Sequence, residues 1–115
     1  MLEIDMEFRK GILFVRLRGE LTDHTVDVMN REVTKTVEDY GIGNLVFNIS
    51  DLNKIDEIGI QSILNNSELA KRSKGRALLC GISNLELKQV LKRNQVFKYM
   101  NETSDELTAL SIIHV

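Results

Sequence analysis

The sequence has no proline, no tryptophan and a single cysteine, Cys80. One cysteine cannot form an internal disulfide, and no paired Cys or His spacing suggests zinc. Uninterrupted apolar runs are only a few residues long, whereas a membrane-spanning helix needs about 20. Lys and Arg number 15 against 17 Asp and Glu, and they form no basic cluster that would neutralise phosphates. We therefore expect no membrane insertion and no nucleic-acid partner.

The composition is that of a globular protein. Hydrophobic residues make up 43% of the 115 residues and charged residues 28%, far from the profile of a disordered chain. The length accommodates one core, so we expect a single domain over residues 1–115. Acidic residues interrupt the apolar positions of Met1–Lys10, which argues against a secretory signal. Together with the lone cysteine, this predicts a reduced, cytoplasmic protein.

In two N-terminal segments, apolar residues alternate with residues that are charged or expected to be exposed. Residues 4–9 and 13–18 both show the period of two that is typical of half-buried strands. Lys10 and Gly11 between them suit a tight turn, and Gly19 marks the end of the second segment. This pattern predicts an antiparallel hairpin.

Helical and strand patterns alternate after the hairpin. A first helix is expected from a cap at Thr22 or Asp23 to a stop at Gly41. The nearly continuous apolar run Leu45–Ile49 predicts a strand covered on both faces. A second helix is expected to end at Gly75, before a short buried strand over Ala77–Cys80.

The C-terminal third shows two further helix signals around an apolar run. Ser83-Asn84-Leu85-Glu86 fits a capping box at the start of a third helix, and Thr103-Ser104-Asp105-Glu106 fits one for a last helix. The intervening run Val96–Met100 predicts an edge strand. The whole order predicts an α/β domain, with an antiparallel pair opening a mostly parallel sheet and about four helices packed on it.

The residue types that carry catalysis are few and scattered. His24 and His114 lie at opposite ends of the chain, and Cys80 sits in an apolar strand where an inert core thiol is the usual case. Gly41-Ile42-Gly43 lacks the third glycine of a dinucleotide fingerprint and precedes a strand, so it is interpreted as a helix stop. We predict no metal, no cofactor and no enzymatic activity.

The most informative segment joins a buried strand to the second helix at residues 50–60. Asp56 can cap the helix by accepting the amide of Ile58 or Gly59, and Glu57 then follows as the first helical residue. Ile55 and Ile60 occupy the positions of a hydrophobic staple. All of this is also typical of an ordinary well-capped helix without a function.

At this point the chain resembles the anti-sigma factor antagonists, whose fold is called the STAS domain. The resemblance is carried nearly end to end by four fragments in the family's order and spacing: Gly19-Glu20-Leu21, Leu45–Asn48 with Asp51-Leu52, Asp56-x-x-Gly59, and Val96-Phe97-Lys98. It implies a small sheet with helices on one face. It also implies a bacterial regulator of transcription that signals through protein–protein interaction.

The resemblance also implies a switch. In the family, the residue before the turn glycine is usually Ser or Thr, and an anti-sigma factor that is also a serine kinase phosphorylates it. The unphosphorylated form binds the anti-sigma factor and frees the sigma factor. Here that residue is Ile58, which has no oxygen to modify. Glu57 is open to two interpretations: a permanent phosphate mimic or a simple acid at the positive end of the helix dipole.

The resemblance implies a partner-binding surface without phosphate control at position 58. The family usually has Asp directly after the Leu that corresponds to Leu21. Here Thr22 stands in that position, and Asp23 follows one residue later. Of the nearby hydroxyls Ser50, Ser62 and Ser67, none precedes Gly59, and we expect Ser62 to be an ordinary surface residue. The expected partner is an anti-sigma factor or serine-kinase-like protein. The expected surface comprises Asp23, Asp56, Glu57, Ile58, Gly59 and Gln61.

Two other functions stay open on the sequence. One is a structural STAS subunit or scaffold of a larger signalling or transport assembly, which would form a stable large oligomer. The other is a small enzyme or nucleotide binder, for which neither a nucleophile–base pair nor a phosphate loop is found. For the regulatory module we expect a monomer or weak dimer.

Overall fold

The computed structural model describes residues 1–114 and opens with the expected hairpin. Strand β1 (Leu2–Arg9) pairs antiparallel with β2 (Ile12–Leu21) in an unbroken register. Lys10 and Gly11 form the turn with φ of 53° and 77°. Two successive positive φ values are those of the tight hairpin turns whose twist matches the flanking strands.

The rest of the sheet is parallel. β3 (Asn44–Ile55), β4 (Ala77–Cys80) and β5 (Asn101–Thr103) extend it in the order β1-β2-β3-β4-β5. This confirms the α/β class and the mostly parallel sheet. β3 is longer than the predicted Leu45–Ile49 because its second half keeps pairing with β2 through two register shifts.

Besides a short 3-10 turn, residues 1–114 contain four helical bodies: three connect strands of the sheet, and the last follows β5. The first is continuous over residues 26–40 but changes its hydrogen-bonding pattern in the middle, and Gly41 ends it at φ 59° as expected. Its parts are α1 (Val26–Met29), a π-helical segment (Asn30–Thr34) and α2 (Lys35–Tyr40), and the later helices are α3 (Glu57–Arg72), α4 (Leu85–Arg93) and α5 (Glu106–Ile113).

Three expected helix starts are displaced. The first helix begins at Val26 rather than directly after Thr22 or Asp23, because residues 22–25 form a turn of their own. The caps of α4 and α5 are Asn84 and Asp105, whose side chains accept the amides three residues ahead. Ser83 and Thr103 are therefore not the caps, because in each case an Asx residue one or two positions later takes that role.

The predicted edge strand over Val96–Met100 is wrong. Val96–Lys98 is a 3-10 turn that follows Gln95 at φ 60°, and the fifth strand starts only at Asn101. Val96 and Met100 are both buried, four residues apart, which is a helical spacing rather than an alternation.

The sheet is covered on both faces rather than on one. The main core lies between the sheet and the helices α1–α4, and it contains inward residues such as Val15, Phe47 and Leu79. On the opposite face, α5 packs over part of the sheet through Ala109 and neighbouring apolar residues. The residues it covers are Ile12, Phe14, Val46, Leu78 and Cys80. The expectation of helices on one face therefore fails for α5.

Candidate functional site

The loop after β2 and the start of α3 lie side by side at one edge of the sheet. β2 and β3 are parallel, and their last residues Leu21 and Ile55 are register partners. The residues that follow each strand therefore emerge together, as expected where the carboxyl ends of parallel strands meet. This geometry brings Asp23 close to Asp56.

Asp56 is the residue that connects the two segments. Its Oδ1 accepts the Gly59 amide at 2.8 Å, which caps α3 as predicted, and its Oδ2 accepts the Asp23 amide at 2.9 Å. Its own amide donates to the Leu21 carbonyl at 3.3 Å. Partial burial raises the pKa of Asp56, but the hydrogen bonds from backbone amides, Gly59 and Asp23 first, lower it by more, so the net pKa lies below its ordinary value.

Gly59 is required by the close approach of α3 to β2. A Cβ at this position would lie 2.2 Å from the main-chain oxygen of Leu21 and 2.9 Å from its Cγ. No side chain fits at that distance. The glycine of the Asp56-x-x-Gly59 turn therefore sets how closely the helix start packs on the strand end.

The loop after β2 is held by a threonine that sequence reasoning did not single out. Thr25 Oγ1 donates to the Glu20 carbonyl at 2.8 Å and accepts the Thr22 amide at 2.9 Å. Both threonines are buried. The signal in the sequence is the T-x-x-T spacing, in which a hydroxyl can close a turn on itself.

The six expected surface residues divide by exposure. Ile58 is 50% exposed. Asp23, Glu57 and Gln61 are also exposed, Asp56 is half-buried and Gly59 is buried. Hydrogen bonds join Asp23, Asp56 and Gly59, whereas the Gln61 amide donates to Asn65 on the same helix at 3.0 Å. Ile58, with its acidic neighbours, therefore lies on a contactable face over a hydrogen-bonded frame.

The nearby hydroxyls are mostly inaccessible. Ser62 is 4% exposed and donates to Asn30 Oδ1 at 3.2 Å, so the expectation of a surface residue is wrong. Ser62 lies on the side of α3 that faces the π-helical segment. Ser67 is 1% exposed. Only Ser50 is exposed, and it donates to Asn48 on β3.

The cysteine and the two histidines have separate surroundings within residues 1–114. Burial, above all, raises the pKa of the Cys80 thiol to about 12, so it is not a thiolate at neutral pH. His24 is exposed next to Asp23, while His114 contacts the Lys10 carbonyl. Within residues 1–114, no group of three or more metal-ligating side chains comes together. No helix in the same range is long and apolar enough to cross a membrane.

Comparisons with known proteins agree on one family. The model of the STAS domain matches residues 3–109. An anti-sigma F factor antagonist of Paenibacillus polymyxa is 29% identical over 114 residues, which is 99% of this chain and 97% of that protein.

Solved structures share the fold at lower identity. The crystal structure of an anti-sigma factor antagonist from Mycobacterium paratuberculosis superimposes with a TM-score of 0.88 at 15% identity, covering 100% of this chain and 96% of that one. The Bacillus cell fate determinant SpoIIAA, in its phosphorylated form, gives a TM-score of 0.71 at 16% identity, with 97% and 99% covered.

Proposed function

Because the chain belongs to the STAS domain family, we propose that it is a regulatory binding module that docks to an anti-sigma factor or a related switch kinase. The support is the similarity to anti-sigma factor antagonists over nearly the whole chain. The docking surface comprises the six residues at the loop after β2 and the start of α3. Binding rather than catalysis is then the activity of this domain.

One observation carries the proposal: Ile58 is a half-exposed hydrocarbon side chain over a hydrogen-bonded frame. The frame consists of the two hydrogen bonds accepted by Asp56 and the backbone contact of Gly59 with Leu21. A surface that is already ordered loses little conformational entropy on binding. An exposed isoleucine at its centre suits a partner with a matching apolar contact.

We propose further that phosphate does not control this surface at position 58. SpoIIAA, which has the same fold, exists in a phosphorylated form. Ile58 offers no hydroxyl, and Ser62, one turn further along α3, is buried and hydrogen-bonded. Glu57 carries one charge rather than about two and points roughly 100° away around the helix, so we assign it to the helix dipole.

The charges of the surface define the partner's chemistry. Asp23, whose amide donates to Asp56, and Glu57, which follows Asp56 in the chain, are exposed carboxylates. A partner that fits supplies an apolar pocket for Ile58 with basic or hydrogen-bond-donating groups around it. We expect the association rate to fall with ionic strength.

The test mixes the protein and ATP with an anti-sigma factor that is also a serine kinase, taken from the same organism. We expect a complex by isothermal titration calorimetry and no phosphate gain by intact-mass spectrometry. Ile58→Asp is expected to weaken the complex at least about tenfold, because it places a charge in an apolar contact. Leu107→Asp is the matched control, since Leu107 is 69% exposed but lies on α5.

Two results would contradict the proposal. A stoichiometric phosphate gain on any residue overturns phosphate independence, and equal binding by the two aspartate variants overturns the assigned surface. Sedimentation of the pure protein distinguishes the alternative function. A stable large homo-oligomer favours a scaffold, whereas a monomer or weak dimer favours the regulatory module.

A further inference from the structure

The outer edge of β1 is a second surface that the proposed function does not use. β1 is the first strand in the sheet order and pairs only with β2 among the described residues. Its register with β2 is unbroken over eight residues, and its sequence has neither Lys nor Pro. Edge strands are usually protected by charged side chains, lysine above all, by prolines or by bulges, and the charged side chains of β1 all lie on one of its faces. β1 therefore presents a regular row of unpaired backbone groups.

The two faces of β1 differ in chemistry. Ile4 and Met6 are partly buried against the main core, on the face that α1–α4 cover, hereafter the helix-covered face. Glu3, Asp5, Glu7 and Arg9 alternate with them and point to the opposite face, so this row is acidic except at Arg9. A strand added to this edge would place its own side chains next to an apolar row on one face and an acidic row on the other.

The helix-covered side of this edge continues into an apolar groove. The groove has a volume of about 450 Å³ and lies between the end of β1 and the end of α2, lined by Phe8, Leu13, Thr36, Tyr40 and Ile42. Phe8 is 62% exposed and Tyr40 is 78% exposed. Two large, exposed aromatic side chains beside a groove are typical of a contact surface.

The acidic row is only partly neutralised. Arg16 donates to Asp5 and to Glu7 at 2.8 Å each, but the same guanidinium also binds Glu106. Arg18 is the register partner of Glu3 and pairs weakly with Asp51 at 3.9 Å. Arg9, at the end of β1 on the same face, lies over the Phe14 ring. Five carboxylates thus share three guanidinium groups, and the face next to the open edge keeps a net negative charge.

This charge pattern disfavours a second copy as the occupant. Antiparallel pairing of two β1 strands about Asp5, with their helix-covered faces on the same side, sets Glu3 opposite Glu7 and Asp5 opposite itself. Pairing about Met6 sets Glu3 opposite Arg9 but still leaves Asp5 opposite Glu7. Like charges directly opposite each other on a sheet are destabilising. The complementary occupant is a strand of another protein with basic residues at every second position and apolar residues between them.

We propose that the outer edge of β1 is a docking site for an extended segment of a partner protein in which basic and apolar residues alternate. The segment adds a sixth strand through backbone hydrogen bonds. Its apolar side chains cover Ile4, Met6 and the groove at Phe8 and Tyr40, and its basic side chains face Glu3, Asp5 and Glu7. None of the six residues of the proposed anti-sigma surface takes part, so either proposal can fail alone.

The test uses blocked eight-residue peptides and the intact, ¹⁵N-labelled protein. A peptide alternating lysine and valine is expected to shift amide resonances of β1, β2 and Tyr40, to slow hydrogen exchange in β1, and to bind more weakly as salt rises. A peptide alternating glutamate and valine is the matched control and is expected not to bind. Failure of the lysine peptide, or equal binding of both peptides, overturns the proposal.

Two further comparisons separate strand addition from loose charge attraction. Two N-methylated versions of the lysine peptide are made, one methylated at the odd-numbered backbone nitrogens and one at the even-numbered nitrogens. Because alternate amides of an added strand point toward β1, at least one of the two is expected to lose binding. Unchanged binding of both overturns backbone pairing. Joint substitution Phe8→Ser and Tyr40→Ser is expected to weaken binding about tenfold. The control Leu85→Ser removes an equally exposed side chain on α4 and is expected to change nothing; an equal effect of both overturns the groove.

Discussion

Gly59 and Leu21 are in backbone contact: a methyl group on Gly59 would lie 2.2 Å from the Leu21 main-chain oxygen. The start of α3 is thereby fixed against the end of β2. The same two segments are joined by the Asp56 carboxylate, whose two oxygens accept amides of Gly59 and Asp23. Packing and capping act together here to hold Ile58 at the surface.

Gly59→Ala is expected to destabilise the domain by about 2–3 kcal/mol, because the added methyl group must displace main-chain atoms rather than a flexible side chain. Urea unfolding followed by circular dichroism measures the change. Glu68→Ala, at an exposed position of the same helix, is the control and is expected to stay within about 0.5 kcal/mol of the parent. Equal stability of the two variants would contradict the close contact.

Asp56→Ala is expected to lower the free energy of unfolding by about 1–2 kcal/mol at pH 7, because it removes the acceptor of two amides. The pKa of Asp56 is lowered in the folded state: burial raises it, and the amide hydrogen bonds outweigh burial. The ionised carboxylate therefore stabilises the fold above its unfolded pKa of about 3.9, and this contribution is lost as the pH falls through the folded pKa.

The pH series of that variant is a separate check. Urea unfolding of parent and variant between about pH 7 and pH 2 is expected to give a difference that shrinks below about pH 4. A difference that stays constant over the series would mean that the charge of Asp56 contributes nothing to the cap.

The features that local chemistry controls were predictable from the sequence. Alternation predicted the hairpin, Gly41 predicted the helix stop, and Asp56 predicted the cap of α3, because each depends on residues close in sequence. Thr25 was missed because its role depends on a hydroxyl that bonds within its own turn rather than on a cap of the helix.

Features that depend on distant neighbours were not predictable in the same way. Ser62 is buried because Asn30, 32 residues earlier, supplies its hydrogen-bond partner. Val96–Met100 is a short apolar run that fits a strand or a helical turn equally well until the position of β5 is known. α5 was expected on the same face of the sheet as the other helices. It packs on the opposite face because Ile12 and Phe14 of β2 and Leu78 and Cys80 of β4 form an apolar surface there, which α5 shields from water.

Glu106→Gln is expected to destabilise the domain by about 1–2 kcal/mol at pH 7, since Glu106 connects α5 to the sheet. Its Oε1 and Oε2 each accept Arg16 at 2.8 Å, and Oε2 also accepts Asn48 at 2.7 Å. The hydrogen bonds from Arg16 lower the pKa of Glu106 most, against the opposing effect of burial. The stabilisation is present above an unfolded pKa of about 4.3 and is lost as the pH falls.

A double-mutant cycle with Arg16→Gln isolates the pair. We expect a coupling free energy of about 1 kcal/mol, since Arg16 and Glu106 are both partly screened by solvent. The Lys35–Asp39 pair on the surface of α2 is the control, and Asp39→Asn is expected to cost less than about 0.5 kcal/mol. Zero coupling between Arg16 and Glu106 would contradict the role of this contact in holding α5.

Ile58→Ser is expected to introduce phosphate control, because it places a hydroxyl before Gly59 at a position that is 50% exposed. Stability should change by less than about 1 kcal/mol, since the side chain is not part of the core. Intact-mass spectrometry after incubation with the anti-sigma kinase and ATP is expected to show one phosphate on the variant and none on the parent. The phosphorylated variant should then bind the kinase more weakly, because a charge of about −2 replaces an apolar contact.

Ile58→Ala is the matched control, which removes the same apolar contact without adding an oxygen and should remain unmodified. If the serine variant also stays unmodified while its complex still forms, the kinase does not engage this helix start as proposed.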